Sequence, residues 1–310
     1  MSRNKKGTPI HGWLNLDKPV GLTSTQALGK VRRILNAQKL GHAGTLDPLA
    51  TGILPIALGE ATKTIQYAQD RDKVYTFTVK WGAATNTDDC EGEIIATSDK
   101  RPSADDIKKL IPRFIGNIDQ IPPQFSAIKI DGQRAYDLAR DGEVVDIQSR
   151  RVTVYALALL NTTTDSADFR LHCGKGTYVR AIARDMGQIF GCFGHVIALR
   201  RNAVGSFTEE GSISLDELEK IMQNSTPDQV LLPVETALDD IPALAMTAEE
   251  ISRIRQGQTL KFLSRQDFDR FSAAGIDENT GVILALSDNG PVALLQKEGP
   301  VLHPVKVFNL

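Results

Sequence analysis

The sequence predicts an α+β protein: a larger domain of interspersed strands and helices, then a small β-rich module. Three observations carry that expectation. Residues 72–81 alternate apolar and polar side chains with a period of two, as a half-buried strand does. Leu28, Val31, Ile34 and Leu35 recur at helical spacing behind the capping candidates Ser24 and Thr25. The last ~65 residues hold three short strand patterns, enough chain for an appended domain.

In chain order, Trp13-Leu-Asn-Leu16 alternates like a strand and runs into Asp17-Lys-Pro-Val-Gly21, a turn by composition. The helix capped at Ser24 or Thr25 follows, its basic residues mainly off the apolar stripe. Residues 53–58 read as a short buried strand and 60–69 as a short helix. In the 72–81 strand, Val74, Thr76, Thr78 and Lys80 share one face; Tyr75, Phe77, Val79 and Trp81 share the other. By pattern alone Tyr75 is a core tyrosine. A polar turn over 86–92 precedes a short strand at 93–96. Ser103 with Asp106 resembles an N-capping arrangement for a helix over 104–114.

Residues 121–140 read as a lead-in loop, a short strand, an Asp-Gly turn and a helix. They carry Lys129, Arg134 and Arg140, the profile of a mobile appendage more than of core. Strands over 150–160 and 167–173 lead through Gly174-Lys-Gly176 to a helix over 177–190, with Thr177 as its cap and Arg180 in its first turn. A short apolar segment over 195–201 ends in Leu199-Arg-Arg201. Ser214, with Glu217 three residues on, caps an amphipathic helix reaching Met222. Residues 224–240 are loop-like, and a helix over 247–256 is closed by Gly257. Strands are expected over 281–287, 291–296 and 305–308.

Composition narrows the classes. The 310 residues are 41% hydrophobic and 24% charged, the balance of an ordinary soluble protein. No apolar run approaches the ~20 residues a membrane-spanning helix needs. The N-terminus is basic, but no apolar segment of signal-peptide length follows, so a cytoplasmic protein is expected. Cys90, Cys173 and Cys192 are far apart, which argues against both a disulfide framework and a zinc site. Net charge is −2, yet the charges are segregated. Lys30, Arg32, Arg33 and Lys39 lie together without an acid, and Arg170, Lys175, Arg180, Arg184, Arg200 and Arg201 outweigh Asp185. A basic face of that kind can meet phosphates despite a near-neutral whole, although solvated helix faces explain any single cluster equally well.

The loop over 41–59 gathers the most chemistry. Asp47 is followed by Pro48, which biases it away from the helical region, and Gly41, Gly44 and Gly52 give the backbone freedom on both sides. An Asx turn explains Asp47 on local pattern. Against that stands the company of His42, Thr45 and Thr51 in one loop beside a buried strand, where binding and catalytic residues tend to sit.

Four stretches, taken in order and at their separations, resemble the TruB family, bacterial tRNA pseudouridine synthases acting on the uridine of the T loop. They are Leu16-Asp-Lys-Pro-Val-Gly-Leu-Thr-Ser24, Gly41-His-Ala-Gly-Thr-Leu-Asp-Pro-Leu-Ala-Thr-Gly52, Gly174-Lys-Gly-Thr-Tyr-Val-Arg-Ala-Ile-Ala-Arg-Asp185 and His195-Val-Ile-Ala-Leu-Arg-Arg201. Pro122-Pro-Gln-Phe-Ser-Ala-Ile-Lys129 is similar to that family too. The likeness is strong over residues ~10 to ~205, and the joint pattern is far more specific than any one motif.

The resemblance implies a pseudouridine synthase catalytic domain around a mixed, largely antiparallel sheet over 1–245. It also implies an RNA-gripping insertion near 120–150 and a PUA-like C-terminal domain over 246–310. It implies isomerisation of uridine without metal or cofactor: the N-glycosidic bond breaks, the base turns, and it rejoins through carbon 5. The implied partner is the T stem-loop of tRNA, with no membrane, no obligatory protein partner and a monomeric enzyme.

Residue by residue, the family's catalytic aspartate falls on Asp47. The chemistry needs a carboxylate ionised at neutral pH, which an aspartate near its reference pKa of ~3.9 supplies, either as nucleophile or as the base of a glycal route. Arg180 matches the arginine that pairs with it; a guanidinium holds a carboxylate by two parallel hydrogen bonds. Tyr75 matches the tyrosine that packs on the flipped base and is implied in removing the proton from carbon 5. Tyr178 and Leu199 match positions lining the base pocket. His42 matches the histidine that enters the RNA loop as the base leaves, where a planar ring offsets part of the few kcal/mol of lost stacking. Lys18 and Pro19 match a motif beside the substrate-binding site, read as structural support. Asn202 and Gly174 stand where the family often has threonine and serine. A non-catalytic RNA-binding or RNA-folding protein on the same scaffold is the alternative, against which the Asp47, Tyr75 and Arg180 set argues as a sole role; a guide-RNA-dependent synthase is a third, against which the lack of a long basic tail or accessory-protein surface argues.

Overall fold

The computed structural model describes residues 7–126, 129–130, 133–134 and 146–310. About half of the expected RNA-gripping insertion, including the expected helix and Arg140, lies outside the described residues.

Ten strands form one mixed sheet. Along its path the order is Ile213–Ser214, Gly12–Lys18, Ala50–Leu58, Gly194–Val204, Lys73–Trp81, Ser166–Cys173, Arg150–Thr162 and Gly116–Gln120. Leu40–His42 flanks Ala50–Leu58, and Phe207–Thr208 flanks Gly194–Val204. Gly12–Lys18 runs parallel to Ile213–Ser214, and Gly194–Val204 parallel to Ala50–Leu58; the other pairings are antiparallel. The short apolar segment expected over 195–201 is thus part of a long central strand. Its close approach to Ala50–Leu58 depends on Gly52, whose φ is +97°; a Cβ there would lie 2.2 Å from the Arg201 carbonyl oxygen.

The alternation read in Lys73–Trp81 is the observed one: Tyr75, Phe77, Val79 and Trp81 are buried. Phe77 pairs with Phe169 across the strands, and their rings stack at 5.3 Å. The helices Ser24–Leu35, Val179–Phe190 and Leu215–Met222 press Val31, Ile182, Met186 and Leu218 into one core with Leu16, Leu54 and Phe77. Each such fully buried aliphatic contributes on the order of 1.5–3 kcal/mol.

Two helix starts differ from the sequence reading. The first helix is capped by Thr23, not by Ser24 or Thr25: Thr23 and Gln26 form a reciprocal capping box, and Ser24 is buried for another purpose. The helix expected from Thr177 begins at Val179, and its N-cap Tyr178 makes no side-chain cap. Thr177 turns back to donate to the Gly174 carbonyl at 3.1 Å. Residues 60–69 divide into a 3-10 turn, Gly59–Thr64, and a short α-helix, Ile65–Asp70. The Ser103 and Ser214 caps are as expected, each with its capping box.

A second sheet of five strands follows, ordered Ala243–Ala245, Val282–Ser287, Gly290–Glu298, Val301–Val307 and Leu260–Lys261. Its first strand lies just ahead of the 245/246 boundary. The helix Arg265–Ala273 and the two shortest strands left no pattern in the sequence reading. The module has its own core, in which Phe262 stacks on Phe271 at 4.9 Å. It joins the larger domain through Leu284, Leu294 and Phe308, which share a cluster with Trp13 and Phe207. Lys63 adds a hydrogen bond to the Val307 carbonyl at 2.6 Å. No described helix is long and apolar enough to cross a membrane.

Candidate active site

The sheet brings distant residues into register. Tyr75 lies opposite Arg201 in one pairing, and Leu199 and Arg201 lie opposite Ala50 and Gly52 in the other. Residues 44–47 are carried over this layer by the loop that enters Ala50–Leu58. The result is a cleft of about 560 Å³ lined by Asp47, Tyr75, Tyr178, Arg180, Leu199 and Arg201, with the exposed Arg150, Arg151 and Lys175 at its rim.

Asp47 is held from both sides. Ser24, fully buried, accepts from the Leu46 N–H at 2.8 Å and donates to the Leu46 carbonyl at 3.0 Å. The Gly21 N–H donates to the Pro48 carbonyl at 2.8 Å, and the Ala50 N–H to that of Asp47 at 3.1 Å. The 16–24 stretch is therefore the bed on which the aspartate loop rests. Lys18 completes that bed: it is buried, and its ammonium donates to the Pro19 and Leu22 carbonyls at 2.9 and 2.6 Å. Burial pulls its pKa down to about 8, against the attraction of Asp47 and Glu91.

Arg180 is the hub. Its Nη2 lies 3.0 Å from Asp47 Oδ2 and donates to the Phe125 carbonyl at 2.9 Å. Its Nη1 lies 3.2 Å from Asp89 Oδ2 and donates to the Thr87 carbonyl at 2.9 Å. The arginine side chain is 5% exposed and that of Asp89 3%, whereas Asp47 keeps 35%, turned to the cleft. One guanidinium thus serves two carboxylates and two carbonyls. Asp47 departs from the expected reference value: burial raises its pKa, Arg180 opposes that, Asp89 adds to it and Lys18 opposes it.

The sequence pattern places Asp89 only in a polar turn. Nothing in Asn86-Thr-Asp-Asp-Cys-Glu-Gly92 says which acid turns inward; the ladder that ties Asp88 and Cys90 to Val196 decides it. Gln120 was missed as well. Its buried amide accepts from the Tyr178 N–H at 2.7 Å and donates to the Tyr178 carbonyl at 3.0 Å, fixing the chain just ahead of Arg180. It stands where a capping side chain is lacking.

Tyr75 is buried, and burial raises its phenol pKa, with the nearby Arg201 guanidinium lowering it. Of the residues singled out from the sequence, Asp47, Tyr75, Arg180, Tyr178 and Leu199 line the one cleft. His42 and Lys18 do not. His42 sits in Leu40–His42, partly buried, with Nδ1 lacking a partner; burial and Arg201 both depress its pKa. Among the described residues no group of three or more His, Cys, Asp or Glu side chains is set to hold a metal ion.

The cleft thus presents, on a mixed sheet, a carboxylate carried on a loop and pinned by a buried guanidinium, and comparison with known proteins places the chain in the class of pseudouridylate synthases. The family description "TruB family pseudouridylate synthase (N terminal domain)" matches residues 32–179, and "tRNA pseudouridylate synthase B C-terminal domain" matches 180–239. Proteins named tRNA pseudouridine synthase B are similar along nearly the whole chain. That of Caulobacter vibrioides is 50% identical, covering 100% of both chains. That of Bradyrhizobium diazoefficiens is 51% identical, covering 97% of this chain and 86% of its own. The chain belongs to the TruB family. Its fold is also that of a chain in the archaeal box H/ACA sRNP Nop10-Cbf5 complex, at a TM-score of 0.72 and 23% identity over 100% of this chain and 93% of that one.

Proposed function

We infer that this protein converts uridine to pseudouridine in tRNA, at the T stem-loop, with Asp47 as the catalytic carboxylate. The observation that carries the reading is the Asp47–Arg180 pair, 3.0 Å apart at the cleft that also holds Tyr75. Membership of a family named for this activity supports it. Asp47 opens the N-glycosidic bond, as nucleophile at the sugar or as base toward a glycal. Arg180 keeps its carboxylate aimed and charged. The freed uracil turns in a pocket walled by Tyr178 and Leu199 and rejoins the sugar through carbon 5, after which Tyr75 takes the carbon-5 proton. His42 fills the gap left in the RNA loop, and Lys18 supports the aspartate loop from below. Arg150, Arg151 and Lys175 meet phosphates at the rim.

In this reading residues 1–245 form the catalytic domain and 246–310 a PUA-like domain. The protein acts as a monomer on folded tRNA in the cytoplasm, without a protein partner. Pseudouridine mapping of bulk tRNA incubated with purified protein tests it. The expected outcome is new pseudouridine confined to the T loop; unmodified tRNA, or modification that needs an added guide RNA, rejects it.

A further inference from the structure

Arg201 is a charged residue of the cleft for which the reading above gives no task. It is buried, and among the described residues it makes no ion pair. Its Nε donates to the Ile53 carbonyl at 2.7 Å and its Nη2 to the Gly44 carbonyl at 3.1 Å. It lines the cleft and stands directly opposite Tyr75 in the strand register, so the two side chains share one face of the sheet. Taking a guanidinium out of water without a carboxylate is costly. Loop tethering alone does not call for that, because a neutral donor would serve two carbonyls. A charge is useful where a negative charge must form, and the side chain facing it across the strand pair in the cleft is a phenol. Asp47 and Cys173 are the other ionisable groups that bear on Tyr75, and each disfavours its ionised form.

We propose that Arg201 is a positioning residue for Tyr75, orienting its phenol and stabilising the phenolate that accepts the carbon-5 proton. The inference rests on the role given to Tyr75 above. Once carbon 5 has bonded to C1′, it carries both that bond and its hydrogen. The hydrogen leaves as a proton to the Tyr75 phenolate oxygen. The C–H electron pair forms the C5–C6 double bond, the former C6–N1 π pair moves to N1, and N1 takes a proton from water. The phenol then returns its proton to water. Arg201 supplies the fixed positive charge that makes the phenolate accessible in a buried site, where desolvation alone opposes it.

The test compares Arg201→Met, Arg201→Lys and Tyr75→Phe with the unaltered protein on three RNAs: with protium at carbon 5 of the target uridine, with deuterium there, and with 5-fluorouridine, which has no hydrogen to lose. Arg201→Met is expected to slow pseudouridine formation by about tenfold to a hundredfold. A primary deuterium isotope effect should emerge and shrink as pH is raised, and the rate of 5-fluorouridine consumption should stay close to that of the unaltered protein. Arg201→Lys keeps the charge and should recover part of the rate with a smaller isotope effect. Equal slowing on all three RNAs, with no isotope effect, overturns the proposal and leaves Arg201 a loop tether. If Arg201→Met does not fold, Arg201→Lys decides by the same criterion. Tyr75→Phe separates the two possible failures. If it brings in the isotope effect and the Arg201 variants do not, the role of Arg201 has failed; if it brings in none, the assignment of Tyr75 has failed.

Discussion

Ser24→Ala removes one oxygen from beneath the aspartate loop. In the native protein that oxygen closes two hydrogen bonds on the backbone of Leu46, at 2.8 and 3.0 Å, and both residues are buried. The substitution strands an N–H and a carbonyl out of reach of water. Each such group costs about 1–3 kcal/mol, so a loss of roughly 2–4 kcal/mol in unfolding free energy is expected after partial relaxation. Asp47 is the next residue along, so the loop that aims it loosens where aim matters; misplacement on the order of 1 Å costs up to about a hundredfold in rate. Urea unfolding measures the first quantity, and tritium release from carbon-5-labelled tRNA measures the second. The expected pattern is lower stability, a kcat down by about tenfold to a hundredfold, and RNA affinity within a few-fold of normal. Lost stability with unchanged kcat would refute the claim that Ser24 positions Asp47. Unchanged stability would refute the hydrogen bonds themselves.

Arg180→Lys keeps one charge but cannot serve four acceptors, so activity should fall with little change in RNA affinity, as separate kcat and binding measurements would show. Asp47 must be ionised to act, and activity is lost as pH falls through its pKa. Burial raises that pKa, so the acid limb of kcat/KM should lie above the ordinary carboxylate range; Arg180→Lys should move it to still higher pH, and a limb that moves down contradicts the account. Gly52→Ala places a methyl 2.2 Å from the Arg201 carbonyl oxygen at a φ of +97°, and thermal unfolding should register a loss of more than about 2 kcal/mol. RNA affinity should weaken as salt rises, because the rim meets phosphates; salt-independent binding in a filter assay would remove the rim from the interface.

Much of this was legible before the structure because local rules agreed with the global fold. The alternation in Lys73–Trp81 set which face Tyr75 takes, and the Ser103 and Ser214 caps marked their helices. Where a side chain had two possible duties, local rules misplaced it. Ser24 reads as a cap and is a loop clamp; Thr177 reads as a cap and bonds back to Gly174. The long central strand Gly194–Val204 was undersized because Arg200, Arg201 and Asn202 interrupt its apolar pattern; in the fold their side chains find partners among Asp17, Glu209, Thr76 and nearby carbonyls. Asp89 and Gln120 stayed hidden, and Arg201 reads as part of a phosphate-facing basic cluster although it is buried, for one reason. Each is polar, each is buried, and each owes its burial to a partner that is distant in sequence, which no local pattern encodes.

The most direct test of the account is Asp47→Asn, which replaces one carboxylate oxygen with an amide nitrogen, removing the charge while leaving size and shape in place. The account predicts tRNA binding close to that of the unaltered protein and no release of tritium from carbon-5-labelled uridine. Turnover near the unaltered rate would contradict it, because the Asp47–Arg180 pair would then be an ornament of the fold and the chemistry would lie elsewhere.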